Sequence, residues 1–172
     1  MIGVVTDKIL FSQSSIFLVK NLNELNKVRN CSIFCNEMHE RPVDICFNIM
    51  QQIKSYQFEG TLITDNLLLT QALHYNIYTK KKYYYVWNFD WILLDDLRFK
   101  QLTIPFLNDE IELIARSESH AEVLEKLFKK PKYIMEDWDW EVLQRIGQDE
   151  CSRNYSIIYR KKDEHPRDSS KI

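Results

Sequence analysis

Glycine is almost missing from this chain, with three residues in 172. A phosphate-cradling loop needs several glycines close together, so a Gly-rich nucleotide loop has little material here. Cysteine is nearly as scarce, at four residues. Four thiols in a chain of this length build no disulfide framework, and reduced thiols fit the cytoplasm. No charge sign dominates: the net charge is −2, which gives no global pull toward nucleic acid or an anionic membrane. Long apolar runs are absent, and those present fall far short of the ~20 residues that span a bilayer. The opening MIGVVTDKILFSQSSIFLVK has no basic segment followed by a long apolar one. It does not read as a secretory signal, so the expected location is the cytoplasm, with no membrane span.

What the chain does have is a regular alternation. Short apolar runs appear at CSIFC (31–35), TLIT (61–64), YYYVW (83–87), IELIA (111–115) and KYIM (132–135). Between several of them lie helical patterns, one through Leu68, Leu69, Ala72 and Leu73 and another through Val123, Leu124, Leu127 and Phe128. Ile45, Ile49 and Ile53 recur every four residues after Pro42 and read as a further helix. Strands alternating with helices argue for one α/β domain over residues 1–160, a Rossmann-like three-layer sandwich with a mostly parallel sheet. The runs are apolar nearly throughout, as strands covered on both faces should be. Residues 1–20 read as a hairpin or strand pair, with Phe17–Val19 the best strand. Asn154–Lys162 reads as one more strand, and 161–172 as a disordered tail.

Polar residues collect where the runs end. In IELIARSESHAEVLEKLFKK the apolar run stops at Arg116 and Ser117, and a helix follows. Ser119-His120-Ala121-Glu122 has the form of a capping box, and Ser117 is the competing cap. In open α/β sheets ligands bind beyond the carboxyl ends of the strands. Arg116, Ser117, Ser119 and His120 fall on that edge. So do Asn36, Glu37 and His39 after CSIFC, and Asp65 and Asn66 after TLIT. Asn88, Asp90 and Trp91 follow YYYVW, and Glu136, Asp137 and Asp139 follow KYIM. A helix N-terminus at this edge also favours an anionic group.

Three segments resemble a known family. LIARSESHAEVLEKLFKKPKYIMEDWDWEVL (113–143) is similar to the stretch closing the N-terminal Rossmann-like domain of GT-B-fold glycosyltransferases. There a strand ends in Ser, a helix follows, and the next strand leads to an acidic turn, here Glu136–Asp139. GTLITDNLLLTQAL (60–73) resembles an earlier strand–loop–helix of that domain. YYYVWNFDW (83–91) resembles the strand whose end carries a polar, aromatic loop near the acceptor. The likeness covers about residues 31–143 and rests on strand ends and a Ser. The Gly-rich loop that many of these enzymes carry after the first strand is absent, and the sequence stops where their second Rossmann-like domain begins.

The resemblance implies an acceptor-side half that transfers a sugar from a nucleotide-sugar to a glycan or other acceptor, with a protein partner or as a homodimer. It implies Asp65, Asp90 or His120 as the base, and Ser117 or the helix N-terminus after it against an anionic group. Asn66, Asn88, Trp91, Arg116, Ser119 and Asp137 complete the ligand-binding set. It implies no obligatory metal and no resident cofactor. The alternative is a non-catalytic module that keeps the fold and binds a protein or glycan, marked by an exposed aromatic patch around Trp138 and Trp140.

Other constellations are weaker. Cys31-x3-Cys35-x3-His39 with Cys46 invites zinc, but lacks the tight paired spacing of zinc knuckles, and Cys31 and Cys35 read as buried strand residues. No Cys lies at a strand-to-helix elbow that would serve a Cys/His nucleophile pair. Asp95-Asp96 and Glu136/Asp137/Asp139 offer ligands for Mg²⁺ or general acid/base groups, but acidic loop residues are more often simply solvated. Lys80–Lys82 before Tyr83–Tyr85 has the residue types of a single-strand nucleic-acid surface, without a second basic cluster beside it, so nucleic acid is not the expected partner.

Overall fold

The computed structural model describes residues 1–38, 44–93, 95 and 106–148, and the backbone alone at 71, 72, 90 and 91. Seven strands form its main sheet: Ile2–Val5 (β1), Cys31–Cys35 (β3), Asn48–Gln51 (β5), Thr61–Thr64 (β6), Lys81–Val86 (β7), Ile111–Ala115 (β8) and Tyr133–Ile134 (β9). Their order is β5-β3-β1-β6-β7-β8-β9, and every pairing is parallel. A two-stranded parallel ribbon, Lys8–Ile9 (β2) with Glu37–Met38 (β4), stands above the ends of β1 and β3. The helices are Gln13–Asn26 (α1), Leu67–Tyr75 (α2), Glu118–Leu127 (α3) and Trp140–Gln148 (α4). The fold is a Rossmann-like three-layer sandwich.

The period-2 geometry of strands explains the layers. In β7, Tyr83 and Tyr85 point into one core and Tyr84 and Val86 into another. The first core also takes Ile2, Val4, Ile33, Ile63 and Ile114, and α1 and α4 close it with Leu22, Leu25, Leu143 and Ile146. The opposite face is closed by α2 through Leu73 and by α3 through Leu124. On α3 only Leu124 is fully buried, with Ala121 and Phe128 packed beside it. Val123 and Leu127, expected on the buried face, are 36% and 54% exposed, because α3 meets the sheet along 121, 124 and 128.

Residues 1–20 correct the expectation of a hairpin. Ile2–Val5 is an interior strand of the sheet, paired on both sides, and Phe17–Val19 belong to α1. Leu18, Val19, Leu22 and Leu25 are the buried stripe of that helix, and Ser12 caps it by accepting from the Ser15 backbone N–H. The helix expected through Ile45, Ile49 and Ile53 is also absent. Those residues fall before and within β5 and in a 3-10 turn, Gln52–Gln57. The cause lies on α1. Asn23 bonds the Asp44 carbonyl at 2.6 Å and the Cys46 N–H at 2.8 Å, and Asn26 bonds the Cys46 carbonyl at 2.7 Å. These bonds hold 44–46 against α1 and deliver the next residues to β3. Lys81 and Lys82 open β7 rather than forming a solvated loop, and Lys82 is buried against the His74 carbonyl and Glu110. The expected strand at 154–162 and tail at 161–172 lie outside the described residues.

Gly3 permits the close packing of β1. A Cβ there would stand 2.8 Å from Leu62 Cδ2 and 2.8 Å from Phe34 Cε2. Both are core groups with no room to withdraw, so Gly3→Ala should destabilise the protein by about 1–3 kcal/mol. A lower urea midpoint at unchanged slope is the expected reading; an unchanged midpoint would show that this contact relaxes freely.

Candidate functional site

The chain leaves β1 toward β3 on one side and reaches β6 on the other, so the β1/β6 boundary is the topological switch point of the sheet. Val5 is in register with Thr64, which sets Thr6 beside Asp65. The Thr6 hydroxyl faces the Asp65 carboxylate closely enough to favour its charged form. Asp65 is half-buried by surface but densely surrounded, and loss of water raises its carboxyl to about 6, against the Thr6 hydroxyl and its own backbone N–H, which act to lower it. Asp7, one residue past Thr6, accepts from Asn36 Nδ2 at 3.0 Å. Its carbonyl also accepts from the Asn36 and Glu37 N–H groups, so the loops after β1 and β3 are joined.

A second group of residues lies along β7, β8 and β9. The Tyr85 hydroxyl donates to the Met135 carbonyl at 2.7 Å and is approached by the Trp138 backbone N–H. Burial pushes its phenol well above the usual range, and it feels the charges of Arg116, Asp137 and Asp65. Tyr85 therefore spans the space between the switch point and the end of β9. Arg116 lies over the Trp87 ring at 4.0 Å and donates to Asp137 Oδ1 at 2.8 Å. Asp137 and Trp138 both have positive φ, 45° and 63°. Consecutive left-handed residues other than Gly are costly, and they persist where the surroundings over-determine them. Here Asn21 Nδ2 holds the Asp137 carbonyl at 2.9 Å, and the Trp138 indole is fully buried with its ring 4.7 Å from Tyr85.

The expected site residues divide accordingly. Arg116 and Asp137 meet directly, and Asp65 shares their neighbourhood through Tyr85. Asn66 caps α2, accepting from the Leu68 N–H at 2.9 Å. Ser117, not Ser119, caps α3 by accepting from the His120 N–H, because the helix starts at Glu118 and Ser119 is already inside it. The two Ser hydroxyls stand 3.0 Å apart. His120 packs on Phe89, with ring centroids 4.4 Å apart, and its buried Nδ1 has no hydrogen-bond partner among the described residues. Asn88 is exposed in the loop after β7. Asp90 and Trp91 lie in a 3-10 turn, Asp90–Leu93, and their side chains lie outside the description. Trp138 is buried and Trp140 half-buried, so they form no exposed aromatic patch.

Thr6, Asp7, Tyr85 and Trp87 were not among the expected site residues. The signal for the first two was present: Val4-Val5-Thr6-Asp7 and Leu62-Ile63-Thr64-Asp65 are two apolar runs ending alike in Thr-Asp. The zinc set does not assemble. Cys31 and Cys35 are core residues, burial pushes the Cys31 thiol up to about 12 and raises Cys35, Cys46 is exposed, and His39 lies outside the described residues. Among the described residues no three His, Cys, Asp or Glu side chains converge as metal ligands. A groove of about 550 Å³ between α3 and β9 sets Glu118, Glu122 and Glu125 against Lys130, Lys132 and Arg145 and contains none of the candidate bases. No helix among the described residues is long and apolar enough to cross a membrane. The chain matches no family model, no curated protein and no solved structure.

The raised carboxyl has a consequence for stability. Asp65 binds its proton more tightly folded than unfolded, so between about pH 4 and pH 6 the unfolded state carries fewer protons. Its contribution therefore falls as pH rises through that window, and the full cost is present above pH 6. Asp65→Asn should raise stability at pH 7 by up to about 3 kcal/mol and flatten this part of the pH profile. A variant less stable than wild type at pH 7, with the slope retained, would show that Asp65 carries no such cost.

Proposed function

We propose that this domain is the acceptor-side half of a glycosyltransferase of the GT-B kind. It presents a hydroxylated acceptor to a nucleotide-sugar held by a second Rossmann-like domain, from a partner chain or a second copy. The observation that carries the reading is Asp65. A carboxyl raised to about 6 at the switch point is matched to taking a proton from a hydroxyl near neutral pH. In the reaction the acceptor oxygen attacks the anomeric carbon, the bond to the leaving phosphate breaks, and Asp65 receives the hydroxyl proton.

Asp65 is a better base than His120 in this reading. His120 is packed under Phe89 and gives its backbone N–H to the Ser117 cap. Charge also favours a neutral acceptor. Among the described residues Asp7, Glu37, Asp65, Glu136, Asp137 and Asp139 stand along the C-terminal edge, and the cations there, Lys8 and Arg116, are both paired, to Glu37 at 2.9 Å and to Asp137 at 2.8 Å. A sugar hydroxyl suits such an edge better than a free phosphate. Arg116, held between Trp87 and Asp137, orients the acceptor, and the half-exposed Trp87 offers a ring for it to lie against.

Thermal unfolding with a panel of simple glycans and a panel of nucleotide-sugars tests this. Ligand at a hundred times its dissociation constant should stabilise by about 2.7 kcal/mol. The expected result is a shift with one class of glycan that survives without nucleotide-sugar and weakens in Arg116→Gln. No shift with any glycan or nucleotide-sugar would overturn the reading and leave a non-catalytic module of the same fold.

A further inference from the structure

Among the described residues the two edges of the sheet differ in charge, which the net value of −2 conceals. At the N-terminal edge stand Arg29, Lys54, Lys80, Lys81, Lys82 and Lys129, against Asp44, Glu59, Asp109 and Glu110, with Lys82 held by the His74 carbonyl and Lys129 by the Asn108 carbonyl. Glu110 is engaged by Lys82 and His74. From this cationic edge projects an apolar loop. Tyr75, Ile77 and Tyr78 are 74%, 84% and 55% exposed, and Leu107 is 68% exposed next to them, joined through the 2.7 Å contact of Asn108 with His74.

The loop is held rigidly. Asn76 is 2% exposed at its centre. Its Nδ2 donates to the Ser55 carbonyl at 2.6 Å, and its Oδ1 accepts from the Tyr78 and Thr79 N–H groups at 2.8 and 3.0 Å. Thr79 Oγ1 donates to the Phe58 carbonyl at 3.0 Å. Four hydrogen bonds thus fix a turn whose apolar side chains face water, so ordering them against a partner costs little. Exposed aliphatic and tyrosine side chains with lysines beside them, here Lys80 and Lys81, are the composition of a protein surface that lies on lipid headgroups.

We infer that this loop and its cationic edge dock the protein on an anionic bilayer surface. Ile77 and Leu107 enter the headgroup boundary, Tyr75 and Tyr78 sit at its level, and Lys54 and Lys80 meet the lipid charge. The alternatives fit less well. Tyr75 and Tyr78 could stack on bases, but Ile77 and Leu107, the 84% and 68% exposed tips beside them, give a nucleic acid nothing and suit a lipid boundary. A two-fold dimer through this patch would bring like-charged edges together. Docked this way, the protein turns its C-terminal edge, with Asp65 and Arg116, away from the membrane.

The test is flotation of the full chain with vesicles of phosphatidylcholine alone and of phosphatidylcholine with phosphatidylglycerol. Binding is expected to the anionic vesicles only and to weaken with added salt. Ile77→Asp should weaken it about tenfold or more, and Lys80→Gln about fivefold. Both should melt as wild type does, since the altered side chains are exposed. Leu93→Asp, at an 87% exposed residue beyond the opposite edge, should bind unchanged. Failure to float, or flotation indifferent to Ile77→Asp, overturns the inference. So does retention of single-stranded RNA, or a dimer, that Ile77→Asp abolishes while flotation is absent.

Discussion

The register of β1 between β3 and β6 is the constraint on which the rest of this molecule depends. Ile2–Val5 is buried throughout and hydrogen-bonded on both sides, so the sheet grows outward from it in two directions. That divergence creates the switch point. The same register sets Thr6 beside Asp65 and brings Asp7 to Asn36. The close fit relies on the missing side chain of Gly3, which lets Phe34 and Leu62 approach the strand, with Phe58 meeting Phe34 edge-on at 5.2 Å. A one-residue slip would turn Val4 and Val5 to the wrong cores and separate the Thr6–Asp65 pair.

The far side of the edge is organised by Tyr85. Its hydroxyl holds the Met135 carbonyl and its ring packs on Trp138, which locks the turn after β9 into two left-handed residues. The turn then presents Asp137 to Arg116, and Arg116 is pressed on Trp87. Each of these arrangements costs free energy locally: strained backbone, a desolvated carboxylate, a cation held in one place. The buried aromatic packing beneath supplies the stabilisation that offsets them. Such local costs concentrated on four adjacent strand ends, β6 to β9, are what distinguish this edge from the opposite one. There, among the described residues, Asn76 and Thr79 are paired structurally, and the exposed groups include an apolar loop with lysines beside it.

Most of the sheet was legible in sequence. CSIFC, TLIT, YYYVW and IELIA each became a strand, because four to six apolar residues between polar boundaries have few other uses when both faces are covered. The misses have definite causes. Phe17–Val19 reads as a strand only if Leu22 and Leu25 are ignored; the longer stripe, capped by Ser12, wins. The recurrence of Ile45, Ile49 and Ile53 is a true helical spacing, overruled by Asn23 and Asn26 reaching across from α1. Four-residue spacing is also an even spacing, compatible with a strand. Of the site, Arg116, Asp137 and Asp65 were nameable as polar residues at strand ends. Thr6, Asp7, Tyr85 and Trp87 were missed because β1 was not recognised and because the tyrosines and Trp87 read as strand packing.

The sequence by itself determined the fold class, the positions of the helix-capping candidates and the set of polar strand ends, since these depend on local pattern and period. Only the tertiary structure decided that β1 is an interior strand, that Thr6 lies against Asp65, and that Trp138 is buried under Tyr85. It alone decided how the charges of the described residues divide between the two edges. Those outcomes follow from pairing and packing between residues far apart in the chain. A summed charge or a local period contains no information about which distant segments will meet.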